Sequence, residues 1–134
     1  MRILILGGAR SGKSRYAVQM ADRLWNHPLY LATAEVKDSE MAQRVKQHRQ
    51  LRGNRFACIE EPLNIEKIIR ENPHRSDVIL IDCITIWLSN ILLKDGAEKF
   101  ESHKNSLLQA IRVSTQDIIL VSNEVGMGIV PENK

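Results

Sequence analysis

A chain of 134 residues, 43% hydrophobic and 26% charged, has the length of one domain and the balance of a globular protein, which excludes a disordered tail. Its net charge of +3 suits a protein that handles phosphates but is too small to argue for nucleic acid, and at 4% aromatic content it lacks the residues that stack single strands. No apolar run is long enough to cross a bilayer and the start carries no signal-peptide pattern, so a cytoplasmic protein is expected.

The first element is the run Arg2-Ile3-Leu4-Ile5-Leu6, which predicts a buried strand stopping at Gly7-Gly8. A helix over 12–25 follows, with Ala17, Met20, Ala21 and Leu24 on one face. Pro28 introduces a second strand at Leu29–Ala32. Asp38 is placed to cap a helix over 39–51 that carries Met41, Val45 and His48 along one side. Arg55–Glu60 reads as a third strand, and Pro62 opens a helix with Ile65, Ile68 and Ile69 inward. Asp77–Asp82 is another uninterrupted apolar strand. One or two helices fill 84–113, broken near Asp95-Gly96, and Asp117–Val121 is the last strand, running into Ser122-Asn123-Glu124. Continuous rather than alternating apolar strands, separated by helices, imply an α/β fold with a mostly parallel sheet covered on both faces. Cys58 and Cys83 lie in apolar runs far apart, which favours buried free thiols over a disulfide. After the last strand, Val125–Glu132 reads as a motif-like loop where a doubly wound domain would add a covering helix. A single domain over 1–134, truncated at its C-terminus, is therefore expected.

Gly7-Gly8-Ala9-Arg10-Ser11-Gly12-Lys13-Ser14 fits G-x-x-x-x-G-K-[ST] in full, between a strand and a helix as the motif requires. Its glycines let successive N–H groups point at phosphate oxygens, aided by the helix N-terminus. Lys13 would reach the β- and γ-phosphates and the Ser14 hydroxyl would ligate Mg²⁺. Asp82, ending the Val78–Ile81 run, stands where a P-loop protein holds Mg²⁺ through water, or else caps the following helix. Asp77 falls at the wrong end of that strand. His48 sits among Arg44, Arg49 and Arg52, whose charge would keep the imidazole neutral as a nucleophile needs, while its helical spacing from Met41 and Val45 equally fits the margin of the core. Glu35, after the second strand, and Glu60, after the third, lie at the carboxyl edge of a parallel sheet. There they could accept hydrogen bonds from ribose or base, or simply be solvated loop acids.

Taken together, several segments resemble one family, the adenosylcobinamide kinase/adenosylcobinamide-phosphate guanylyltransferases. They are 7–15, Tyr-Leu-Ala-Thr-Ala at 30–34, Glu-Met-Ala-Gln-Arg-Val-Lys-Gln-His-Arg at 40–49, Glu-Glu-Pro at 60–62, Asp-Cys-Ile-Thr-Ile-Trp-Leu-Ser-Asn at 82–90 and Asn-Glu-Val-Gly-Met-Gly-Ile-Val-Pro-Glu at 123–132. The resemblance is colinear and covers essentially the whole chain. It implies a P-loop NTPase-like (RecA-like) fold and a bifunctional enzyme of cobalamin biosynthesis. Such an enzyme phosphorylates adenosylcobinamide with ATP or GTP, then transfers GMP from GTP through a guanylylated histidine. By this resemblance His48 is the guanylylated nucleophile and Lys13 serves the kinase step. Nucleotide binding falls to Gly7, Gly8, Ala9, Arg10, Ser11, Gly12, Lys13, Ser14, Thr33, Ala34, Glu35, Arg49, Gln50, Leu51, Arg52, Glu60 and Asp82. The resemblance also implies a homo-oligomer, a trimer. Family members continue some forty-odd residues further, and losing them would expose one sheet edge and an apolar face. Two other readings remain open from the sequence: a small-molecule kinase without guanylyl transfer, and a nucleotide-binding chain without turnover.

Overall fold

The computed structural model describes residues 1–8, 11–35 and 56–123. In chain order these form β1 (Arg2–Gly7), α1 (Lys13–Leu24), β2 (Pro28–Ala32), β3 (Ala57–Glu60), α2 (Ile65–Glu71), β4 (Val78–Asp82), α3 (Ile84–Lys94), α4 (Phe100–Val113) and β5 (Asp117–Asn123). A single 3₁₀ turn, Ala97–Lys99, leads into α4. The helix expected over 39–51, its cap Asp38 and the loop at 125–132 lie outside the described residues.

Four pairings, all parallel, order the sheet β1-β5-β4-β2-β3. Val78–Ile81 of β4 are wholly buried because β4 has a strand on either side and helices against both faces. Side chains alternate between two cores, as the pleat dictates. Leu29, Leu31, Ile79, Ile81 and Ile118 meet Ile65, Ile69, Trp87, Ile91 and Leu107 from α2, α3 and α4. On the other face Tyr30, Val78, Leu80, Ile119 and Val121 meet Ala17, Val18 and Ala21 of α1.

Three expectations need correction. Residues 2–6 are not a buried strand: Leu4 and Leu6 are 58% and 54% exposed. An apolar run does not disclose whether its strand will be central, and β1 has β5 as its one neighbour among the described residues. Leu24 is also exposed, since Trp25 closes the end of the α1 face instead, with its indole N–H on Asp117. Cys58 is exposed on the edge strand β3, although both cysteines are free as expected. Two boundaries also shift. The strand expected from Arg55 begins at Ala57. The helix expected at Pro62 begins at Ile65, because the Glu61 carboxylate first accepts the N–H groups of Leu63 and Asn64 in a turn. The expected break near Asp95-Gly96 is present, with both N–H groups returning to the Ile91 carbonyl.

Polar side chains tie the amino end of the sheet. The Arg2 guanidinium donates to the carbonyls of Ile111 and Ser114 and so ties β1 to the end of α4. Asp77 accepts the N–H groups of Asn26 and His27 and so holds the turn between α1 and β2. No helix among the described residues is long and apolar enough to cross a membrane.

Asp117 takes the terminal ammonium of Met1 at 2.6 Å on one oxygen and the Trp25 indole at 2.8 Å on the other. The hydrogen bond from the terminal ammonium, then that from Trp25, holds its carboxyl below the ordinary value. A depressed pKa contributes stability above the unfolded value of 3.8 that is lost as pH falls through the folded one. Asp117→Asn should therefore lower the urea midpoint at pH 7, and the gap from the wild type should narrow as the pH falls below 3.8. An equal gap at both pH values would contradict this.

Candidate functional site

Parallel register brings the site together before any side chain is considered. Ile5, Val121, Asp82, Ala32 and Glu60 form one row across all five strands, so the ends of β4, β2 and β3 lie side by side. At the usual strand spacing the Asp82 and Glu60 backbones stand roughly 10 Å apart, with β2 between them. Gly7 and Asn123 pair two residues beyond that row, so the chain leaves β1 for α1 on this same edge.

Of the phosphate-loop motif, Gly7, Gly8, Ser11, Gly12, Lys13 and Ser14 are described, and Ala9 and Arg10 are not. The Ser11 N–H donates to the Gly8 carbonyl at 3.1 Å, closing a tight turn. A side chain at Gly7 would collide with Ser11 Oγ. Gly12 stands at φ +82°, where a Cβ would cost about 1–2 kcal/mol. It precedes Lys13, so the first N–H groups of α1 face the loop without a side-chain cap. Lys13 Nζ arches back to the Gly8 carbonyl at 3.0 Å. That contact sets a cation against the backbone of the motif's second glycine, an arrangement suited to a polyphosphate.

Asp82 is half-buried, and its Oδ2 accepts the Tyr30 hydroxyl at 2.5 Å. Its other oxygen makes no hydrogen bond within the described residues. Behind it, Cys83 is buried, and burial first of all pushes its thiol up. The Asp82 carboxylate adds to that rise, whereas the Lys13 ammonium opposes it. The start of α1, which carries the expected P-loop lysine, and the strand-end carboxylate thus belong to the same carboxyl edge of the sheet.

Thr33 is fully buried, and its hydroxyl is engaged within the fold. Its Oγ1 accepts the Cys83 N–H at 2.9 Å and donates to the Cys83 carbonyl at 2.8 Å, while its own N–H donates to the Asp82 carbonyl. Asn90 of α3 donates to the Thr33 and Pro62 carbonyls, joining the exits of β2 and β3. Ala34 is half-buried. Glu35, also half-buried, forms an ion pair with Lys94 at 2.9 Å. Glu60 is exposed at the end of β3. His48, Arg49, Gln50, Leu51 and Arg52 lie outside the described residues.

The other histidines serve elsewhere. His103 pairs with Asp95 at 2.7 Å and meets the Trp87 ring edge-on. His27 and His74 line an open cleft of about 620 Å³ at the amino ends of the strands, away from the P-loop. Sequence reasoning missed Tyr30 and Asn90. A tyrosine in an aliphatic buried strand was the available signal, because its hydroxyl must find a partner.

The sequence pattern of the cobinamide kinase / cobinamide phosphate guanyltransferase family matches residues 3–134. The chain is 42% identical over 131 residues to the bifunctional adenosylcobalamin biosynthesis protein CobP of Pseudomonas aeruginosa, spanning 98% of this chain and 76% of that one. It is 35% identical over 147 residues to the bifunctional adenosylcobalamin biosynthesis protein CobU of Escherichia coli K12, spanning 100% of this chain and 81% of that one. Among solved structures it is similar to the ATP synthase subunit NeqB of Nanoarchaeum equitans, with a TM-score of 0.60 at 11% identity over 98% of this chain and 42% of the other. The RadB recombinase gives 0.56 at 16% identity over 96% and 66%. At such identities these two likenesses establish the P-loop NTPase fold and nothing finer.

The Thr33 bracket makes a direct prediction. Thr33→Val keeps the shape but orphans the buried N–H of Cys83 and leaves its carbonyl with the Trp87 N–H alone, and should cost about 1–3 kcal/mol in urea denaturation. Thr33→Ser should recover most of that loss. Equal stability of the valine variant and the wild type would contradict the bracket.

Proposed function

The chain belongs to the cobinamide kinase / cobinamide phosphate guanyltransferase family, and on that footing we propose that it phosphorylates adenosylcobinamide with ATP or GTP and then transfers GMP from GTP through His48. The observation that carries the nucleotide half is the parallel register, which sets the exit of β1 toward Lys13 at the start of α1 and Asp82 at the end of β4 on one carboxyl edge. The family match carries the corrinoid half.

In the first reaction the aminopropanol hydroxyl of adenosylcobinamide attacks the γ-phosphorus, and the nucleoside diphosphate leaves. This chain's share is positioning and charge neutralisation, from Lys13, the N–H groups at the start of α1 and Arg10. In the second reaction a neutral His48 nitrogen attacks the α-phosphorus of GTP and pyrophosphate departs. The phosphate oxygen of adenosylcobinamide phosphate then displaces the imidazole, which leaves as its protonated form is restored. Dividing the transfer gives two in-line displacements, each at a phosphorus already bound by the site. Arg49 and Arg52 flank the nucleophile in sequence and would bind phosphate oxygens. Thr33–Glu35, Gln50, Leu51 and Glu60 complete the nucleotide contacts in this reading.

Ser14 and Asp82 offer hydroxyl and carboxylate oxygens, the donor set that suits Mg²⁺, and among the described residues one Asp82 oxygen has no hydrogen-bond partner. When bound with the nucleotide, Mg²⁺ neutralises charge on the phosphates. The proposal extends to a homo-oligomer, a trimer by family resemblance, working in the cytoplasm where both nucleotides are supplied.

Intact mass after incubation with GTP and Mg²⁺ tests the transferase half. The wild type should gain one GMP, labile to acid, and His48→Ala should gain none. Absence of the adduct from a wild type that binds GTP would leave a kinase alone. An adduct retained by the variant would assign the nucleophile elsewhere.

A further inference from the structure

We propose that Tyr30 is a positioning residue for the Asp82 carboxylate, its hydroxyl holding Oδ2 so that Oδ1 is the oxygen left for the magnesium nucleotide. This inference rests on the reading of Asp82 as the carboxylate that engages that nucleotide. Tyr30 sits mid-strand in β2, opposite Leu80 in the register, and Asp82 lies two residues further along β4 on the same face. A tyrosine ring is long enough to cross that diagonal, and the hydroxyl reaches Oδ2 at 2.5 Å. The ring itself is buried between α1 and the sheet. Phenylalanine would fill the same space, so packing alone does not call for the oxygen.

What the hydroxyl does is select a conformation. A carboxylate ending a strand can rotate about two bonds, and an ion-binding group that rotates must be ordered when its ligand arrives. Here the ordering is done beforehand by two residues, one within β2 and one just past its end. Thr33 pins the backbone by its three hydrogen bonds to Asp82 and Cys83. Tyr30 pins the head of the side chain. Asn90 in turn holds the Thr33 carbonyl at 2.8 Å, so the support is itself anchored to α3. Hydrogen bonds of this kind to a ligating carboxylate fix its orientation and tune its affinity for the ion.

The test measures binding rather than turnover. Affinity for a non-hydrolysable GTP analogue is determined by calorimetry on the whole chain, with Mg²⁺ and with EDTA, for the wild type, Tyr30→Phe, Asp82→Asn and the double variant. Mg²⁺ should tighten binding to the wild type. Asp82→Asn should lose that gain, and Tyr30→Phe should reduce it about tenfold. In EDTA, Tyr30→Phe should match the wild type. Adding Tyr30→Phe to Asp82→Asn should change nothing further, which separates positioning from a general loss of fold. If Asp82→Asn loses the gain but Tyr30→Phe keeps it, the role of Tyr30 is overturned while that of Asp82 stands. A Tyr30→Phe effect that persists in EDTA or in the double variant would make the hydroxyl merely structural and also overturn the proposal. If Asp82→Asn retains the full gain, or the wild type shows none, the reading of Asp82 fails and takes this inference with it.

Discussion

Parallel pairing in a single register is the constraint on which the rest of this protein depends. Because every strand points the same way, the chain leaves β1, β2, β3 and β4 at one edge, and each exit delivers a chemically useful residue there. The P-loop follows β1, Thr33 follows β2, Glu60 ends β3 and Asp82 ends β4. Antiparallel pairing would scatter these groups over both ends of the sheet. Parallel strands require helical crossovers, and the helices in turn bury the central strands on both faces. Fold stability and assembly of the edge therefore have one origin.

Within that edge, β2 has an outsized part for a strand of five residues. Leu29 and Leu31 pack one core, and Tyr30 packs the other while reaching Asp82. Thr33, one residue past the strand, spends both hydrogen-bonding roles of its hydroxyl on Cys83. Buried polar groups of this sort are tolerable only when each finds its partner, and when satisfied they specify one arrangement. A change at Thr33 is thus expected to register in stability, and a change at Tyr30 in ion response. The difference follows from what each leaves behind: an orphaned backbone N–H in one case, a freely rotating carboxylate in the other.

Much of this was legible in the sequence, for identifiable reasons. The run Val78–Ile81 reads as a central strand because both its faces must be apolar, and the G-x-x-x-x-G-K-S pattern is specific because phosphate-cradling needs glycines at fixed offsets from a helix start. Leu4 and Leu6 misled because a strand with one neighbour among the described residues and a central one can share the same apolar composition. Leu24 misled because helical periodicity does not reveal where the sheet beneath ends, nor that Trp25 would fold under it. The bonds from Thr33 to Cys83 and from Tyr30 to Asp82 join residues 50 and 52 positions apart. Such pairs are set by register, which no local pattern encodes. Asn90 was hidden for the same reason, its partners coming from two different strand exits.

Hydrogen exchange with and without a non-hydrolysable GTP analogue and Mg²⁺ tests most directly whether the carboxyl edge is the nucleotide site. Ligand should slow exchange in the described parts of the P-loop and the start of α1, residues 7–8 and 11–16, and at 82–85 where β4 passes into α3. Amides around His27 and His74–Ser76, at the opposite end of the strands, should be unaffected. Protection confined to that opposite end would contradict the account, and so would saturating ligand that leaves 7–8, 11–16 and 82–85 exchanging as before.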